Sequence, residues 1–95
     1  MFTWDVKKAI SNFEKHGVAF EEAVTVFGDP DGLHLEANHV GKELRFFRIG
    51  ESSEGKVLIV LFTVRKLSSD KETIRIISAR QTSKKEREAY RRLKN

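Results

Sequence analysis

Five arginines fall on three successive strand-like runs, and a guanidinium is the side chain best shaped to hold a phosphate. Arg45 and Arg48 lie in Leu44–Ile49, Arg65 follows the apolar run Val57–Val64, and Arg75 and Arg80 lie in Ile74-Arg75-Ile76-Ile77-Ser78-Ala79-Arg80. The planar fork reaches two phosphate oxygens at once and keeps its charge at any working pH. Taken singly, each arginine is explained as well by a surface ion pair. As a group on one sheet they suit a polyanion. The simplest arrangement has them converging from neighbouring strands on a single scissile linkage. Strict alternation sets Arg75 with Ile77 and Ala79, and Arg80 with Ile74 and Ile76, so the two share a face only if a bulge intervenes.

Cleavage of RNA without a metal has three chemical requirements. A base takes the proton of the 2′-hydroxyl, a cation neutralises the pentavalent phosphorane, and an acid protonates the departing 5′-oxygen. Arginine fills the second role. His16, Lys15, Glu14 and Tyr90 are nominal candidates for the proton transfers. His16 precedes Gly17 at a helix end, where the dipole favours imidazolium; the same position suits a simple C-terminal capping residue. Tyr90 reads equally well as a packing residue with its hydroxyl at the rim.

Other chemistries find no residues to carry them. The chain has no cysteine, so thiolate nucleophiles, disulfides and cysteine zinc sites are excluded. His16, His34 and His39 lack the spacing of a metal site, and no phosphate-loop, dinucleotide or nucleophile-elbow pattern occurs. No cofactor and no metal are therefore expected.

Charge is distributed unevenly. Ser83 to Asn95 carries six Lys or Arg against two Glu, a surplus equal to the formal +4 of the whole chain. The preceding residues sum to zero. Lys84, Lys85 and Arg87 of this segment, with Lys15 and Arg45, are candidates to guide an RNA backbone by charge. The alternative is a solvated helix face, or a basic surface that binds nucleic acid or a partner without cleaving anything. Ninety-five residues with 39% hydrophobic content fit a single domain, 1–95, with a modest core. No run approaches the ~20 apolar residues of a membrane span, and the start lacks a secretory layout. A soluble, cytoplasmic protein is the default expectation.

The elements that must position these residues follow from periodicity. Phe2 and Trp4 suggest a short first strand. Asp5 suits the N-cap of a helix whose stripe Val6, Ala9, Ile10 and Phe13 should pack on a core, with Gly17 at its left-handed end. Phe20, Ala23, Val24 and Phe27 repeat the spacing, and Gly28-Asp29-Pro30-Asp31-Gly32 breaks it. Trp4, Phe13, Phe20 and Phe27 are read as core. Leu33–Glu36 is a short candidate strand and Ala37–Lys42 a loop. Leu44–Ile49, Val57–Val64 and Ile74–Arg80 are better strands, Val57–Val64 being apolar enough for burial on both faces. Glu51–Gly55 and Lys66–Thr73 are the connecting turns, short enough to require antiparallel neighbours. Ser83-x-x-Glu86 is a capping box opening a last helix, which docks by Glu86, Ala89, Tyr90 and Leu93. The fold class is α+β: two N-terminal helices, an antiparallel sheet of about four strands, and a C-terminal helix.

Several of these pieces occur together in one known order. Trp4-Asp5, Asn12-x-x-Lys15-His16-Gly17-Val18-x-Phe20-Glu21-Glu22-Ala23, Val26-Phe27-x-Asp29-Pro30, Arg45-x4-Gly50 with Gly55, Ile74–Arg80, and Glu86-Arg87-x2-Tyr90 resemble the BrnT family of toxins from bacterial type II toxin–antitoxin modules. The resemblance implies a RelE-like fold and a metal-independent endoribonuclease that arrests translation. It also implies a BrnA-type antitoxin with a ribbon-helix-helix part, through which alone the complex would meet DNA. By position, Arg65 and Arg80 correspond to the family's basic active-site residues and Arg75 lies in the same block; His16, Lys15 and Tyr90 occupy motif positions. The chain departs from the family at Ala19, where many relatives place Ser or Asp, and in Val64–Thr73, which is longer and richer in lysine than the usual hairpin.

Overall fold

The computed structural model describes residues 1–94; Asn95, the last residue of the basic C-terminal segment, lies outside the described residues. The chain runs β1 (Phe2–Thr3), α1 (Val6–His16), α2 (Phe20–Thr25), a 3₁₀ turn (Val26–Gly28), β2 (Leu33–Val40), β3 (Glu43–Glu51), β4 (Val57–Lys66), β5 (Glu72–Gln81) and α3 (Lys84–Leu93). Helix ends obey the local signals. Asp5 accepts the Lys7 and Lys8 N–H groups at 2.8 and 3.3 Å, and Gly17 turns left-handed at φ 71° to donate to Phe13 O. Ser83 and Glu86 close the expected capping box. Ala19, lacking a side-chain oxygen, leaves α2 without a side-chain cap.

The sheet order is β1-β5-β4-β3-β2. The expectation of an all-antiparallel sheet of about four strands is corrected here: the described residues form five strands, and β1 pairs parallel to β5 through Phe2↔Ile74 and Thr3↔Arg75. Everything from α1 to β4 separates these two strands in sequence, so short connections place no constraint on their sense. The loop expected at Ala37–Lys42 is also corrected, because Ala37–Val40 continues β2, pairing as far as Val40↔Glu43 with a bulge between Glu36 and Asn38. β2 is an edge strand with most residues exposed, which leaves no alternation to read. The last hairpin closes more tightly than Lys66–Thr73, since the β4–β5 ladder extends to Lys66↔Glu72.

Two cores flank the sheet. On one face, Leu58, Val60, Phe62, Ile76 and Ala79 pack against Val18, Phe20, Ala23 and Val26, all buried. On the other, α3 covers only one end, where Tyr90 meets Ile49, Val57 and Ile59. Each large side chain so buried contributes about 1.5–3 kcal/mol. Trp4 and Phe27 are partly buried against the first core, as expected of core aromatics.

The helix α1 does not pack as its periodicity implied. Val6, Ile10 and Phe13 are 67, 57 and 56% exposed, so Phe13 is not a core residue, and the buried side chain of this helix is Asn12. Beyond β1 the outer edge of β5 has no strand beside it, and an edge amide left buried there needs a partner. Asn12 supplies it. Its Nδ2 donates to Ala79 O at 2.8 Å and to Val18 O at 3.1 Å, while Ala79 N–H donates to its Oδ1 at 3.1 Å. One carboxamide thus stands in for a strand residue and lays α1 along β5. The last helix is also less docked than expected: Leu93 is 64% exposed and Tyr90 alone is buried.

Candidate functional site

A register shift in the β4–β5 ladder decides which arginines meet. Leu61 pairs with Ser78 and Phe62 with Ile76, which leaves Ile77 as the extra residue of a bulge. Directly paired residues point to the same side of a sheet. Thr63↔Arg75, Leu61↔Ser78 and Ile59↔Arg80 therefore put Arg75, Ser78 and Arg80 on one face with Thr63 and, one pair further, Arg65. Arg45, paired with Thr63, joins them. This is the face that α3 covers at one end only, the end where Ile59 lies under Tyr90. Ile74, Ile76 and Ala79 turn to the opposite core, so the alternation set out above changes phase at Ile77.

Sharing a face is not convergence. Six residues of β4 separate Ile59, the partner of Arg80, from Arg65, about 20 Å at ~3.3 Å per residue. Arg65 lines a hollow of about 560 Å³ with Glu43, Thr63 and Lys66 at one end of the sheet, and Arg80 is not among its walls. The expected convergence of Arg65 and Arg80 on one linkage is replaced by a track of guanidinium groups: Arg65 with Arg45 and Arg75 around Thr63, then Ser78, then Arg80.

Carboxylates already occupy part of this track. Glu43 bonds Arg45 at 3.1 Å and Arg65 at 3.4 Å, and the hydrogen bond from Arg45 is the main reason its carboxyl lies below the usual range. Arg80 holds Glu86 in a two-pronged pair at 2.9 and 3.0 Å and also donates to Gln81 O. Arg75 makes no ion pair among the described residues. Its charge is the least neutralised of the four. The Glu86 pair draws the first turn of α3, with Lys84, Lys85 and Arg87, up to the Arg80 end of the track.

The Arg80–Glu86 pair has a testable pH signature. The hydrogen bond from Arg80, followed by that from Ser83 N–H, takes the Glu86 carboxyl from 4.5 down to about 2. A carboxyl depressed in the folded state stabilises fully above its unfolded value, and loses that contribution as pH falls from about 4.5 toward 2. With both side chains partly solvated, about 1–2 kcal/mol is at stake after screening. Melting temperature should therefore fall across that window, and in Glu86→Gln the fall should be shallower by that amount. A variant tracking the native acid profile would show that the pair contributes nothing.

Helix α1 brings the remaining candidates. Lys15 and His16 line a shallow hollow of about 340 Å³ with Lys7, Lys8, Ser11 and Ser78. Ser78 belongs to the arginine face as well, so the lysines and imidazole of α1 border the track from the β5 edge. The sequence placed His16 at a helix end but said nothing of this neighbour; Asn12, one turn earlier, makes the connection by holding Ala79.

Tyr90 lies elsewhere. It is buried under the covered end of the sheet, and its hydroxyl donates to Asp29 Oδ2. Burial, then this bond to a carboxylate, pushes the phenol well above its ordinary range. Burial alone would raise the Asp29 carboxyl, but Glu51 N–H at 2.7 Å, Tyr90 OH and Asp31 N–H at 2.9 Å together bring it below normal. Asp29 thus ties α3, the end of β3 and its own loop into one knot. Arg48 is on the face opposite Arg45, donating to Val26 O at 3.2 Å and Asp29 O at 2.7 Å, which anchors the same loop. Neither faces the track. His34 sits among Phe27 and Phe62, where burial and then Arg48 lower its pKa. Among the described residues no cluster of three metal-ligating side chains is present, and no helix is long and apolar enough to cross a membrane.

Comparison with known proteins adds a family. Residues 4–86 match the family described as ribonuclease toxin, BrnT, of type II toxin–antitoxin systems. Among solved structures, the chain is similar to the Brucella abortus ribonuclease toxin BrnT, with 23% identity and a TM-score of 0.65 over 88% of this chain and 99% of that one. At that identity the likeness is one of fold. No curated protein matches the chain.

Proposed function

The chain belongs to the BrnT family of ribonuclease toxins of type II toxin–antitoxin systems, and from that premise we propose that it cleaves RNA internally, without a metal ion, on the open arginine face. The observation that carries this reading is the bulge at Ile77, which turns Arg75 and Arg80 to one side of the sheet beside the His16 hollow. An RNA strand lies along the track. Arg80 and Arg75, whose β4 partners lie about 13 Å apart, flank the phosphate that becomes pentavalent from its two sides, and Arg65 and Arg45, beyond Arg75, hold a phosphate further along the backbone. Lys15, Lys84, Lys85 and Arg87 attract the strand by charge. Tyr90 is a positioning residue, since its hydroxyl is committed to Asp29.

The reaction is an internal transesterification. The 2′-oxygen attacks phosphorus, its proton passes to a base, and the bond to the 5′-oxygen breaks as that oxygen gains a proton. The products are a 2′,3′-cyclic phosphate and a 5′-hydroxyl. His16, which lines a hollow together with Ser78 of the track, is the candidate proton carrier. Cleavage in the cytoplasm would arrest translation, and a BrnA-type ribbon-helix-helix antitoxin would hold the toxin inactive and link it to DNA. We also read the α+β fold as RelE-like.

Purified protein incubated with RNA in EDTA tests the core of this. Cleavage at undiminished rate, leaving cyclic phosphate ends, is the expected result. RNA left intact at large protein excess overturns the catalytic reading; if the protein still binds that RNA, the basic face is a binding module only. Products with 3′-hydroxyl ends would refute the metal-free route.

A further inference from the structure

We propose that the apolar groove between α1 and α2 is the seat of the antitoxin, taken up by an amphipathic, cationic helix of that protein. The inference rests on the toxin reading above and adds to it the surface by which the toxin is held. Val6, Ile10 and Phe13 stand at i, i+4 and i+7 of α1 and are more than half exposed. That is the spacing of a helix face packed against another helix, yet nothing among the described residues covers it. Beside them Trp4, Ala9 and Phe20 form the floor of an open groove of about 530 Å³. Exposed apolar side chains so grouped mark an interaction site.

Charge selects the occupant. Among the described residues, Glu14 and Glu21 are the charged ones lining the groove, and no lysine or arginine lines it. The other flank of the same helix, by contrast, presents Lys7, Lys8 and Lys15. Carboxylates around an apolar slot repel a nucleic acid and attract a peptide bearing Lys or Arg beside its apolar anchors. A second copy of this chain is a poorer fit, because a two-fold pairing of the groove with itself sets Glu14 and Glu21 against their own counterparts. The groove lies on the flank of α1 away from the arginine face, so the seated helix anchors the antitoxin while another part of it reaches the track. Holding and inhibiting are then separable.

The test pairs two measurements on the full chain, using as probe the antitoxin encoded beside its gene. Ile10→Asp/Phe13→Asp is expected to weaken antitoxin binding roughly 100-fold. Glu21→Lys should weaken it about tenfold, chiefly through slower association. The free Ile10→Asp/Phe13→Asp protein should cleave RNA at the native rate and escape inhibition by antitoxin. Native affinity in both variants, or no binding of the antitoxin by the native chain, overturns the proposal. So does a native dimer that the variants split while antitoxin affinity is unchanged, which would make a second copy the occupant. If the double variant misfolds by circular dichroism, Val6→Gln/Glu21→Lys replaces it under the same criteria. A native chain that leaves RNA intact but loses antitoxin on groove substitution removes the nuclease reading and keeps the groove. Cleavage by the native chain with equal inhibition of native and variant does the reverse.

Discussion

Arg80→Ala should lower the rate of RNA cleavage by about 10²–10³-fold at saturating substrate, the loss expected when one donor to a developing oxyanion is removed. Arg75→Ala should fall in the same range, since Arg75 is the guanidinium of the track with no carboxylate partner among the described residues. Arg65→Ala should behave differently. It stands about 20 Å along β4 from the partner of Arg80, too far to touch the same phosphate. Its loss should raise KM severalfold and leave kcat nearly unchanged, the mark of binding shared by ground and transition states. Single-turnover cleavage of a short fluorescent RNA separates these cases. Should Arg65→Ala abolish kcat while Arg75→Ala spares it, the reacting phosphate belongs at the Glu43 end of the sheet instead. Arg80→Lys is not a rescue, because an ammonium cannot grip Glu86 and a phosphate with two parallel forks.

The second large effect concerns stability. Asn12→Leu should destabilise the fold by about 3–4 kcal/mol, since it orphans the buried N–H and C=O of Ala79 together with Val18 O. For a chain of this length each kcal/mol is worth about 4–8 °C, so the melting temperature should drop by roughly 12–30 °C. Urea unfolding with an unchanged slope would confirm a pure stability loss. A surface asparagine would cost under about 0.5 kcal/mol, and a result that small would show that the β5 edge finds water or another partner. Because Asn12 also holds α1, which carries His16, along β5, surviving Asn12→Leu protein should cleave RNA poorly even where it is fully folded.

How far the sequence reveals this arrangement depends on which physical signal each residue leaves. Caps and turns are local, and Asp5, Gly17, Ser83 and Gly55 announce their elements correctly. The stripe Val6, Ala9, Ile10 and Phe13 announces a helix with an apolar face but not what covers that face. Periodicity measures segregation of side chains, and an uncovered stripe segregates as well as a buried one. Asn12 leaves almost no trace, for a polar residue beside an apolar stripe ordinarily faces water. The bulge leaves a faint one in the doublet Ile76-Ile77, which breaks alternation. On that doublet hangs the whole question of whether Arg75 and Arg80 cooperate. β1 announces itself in the alternation of Phe2 and Trp4, but its parallel pairing with β5 lies beyond the reach of any short-range pattern. Arg65, Arg75 and Arg80 are recognisable as a group from residue type alone; their shared face and their spacing along it need the register.

The odd residue at position 77 also makes the two ends of β5 independent of each other. Upstream of it, side-chain direction is dictated by the hairpin Leu67–Lys71; downstream, by the pairing of Ser78 to Gln81 with Leu58 to Leu61. A hairpin lengthened or shortened by one residue can rotate Arg75 out of the track while Arg80 still points into it. The chain has thereby insulated its inner guanidinium from the most variable kind of change a β-protein undergoes, insertion at a loop tip. The outer guanidinium enjoys no such protection.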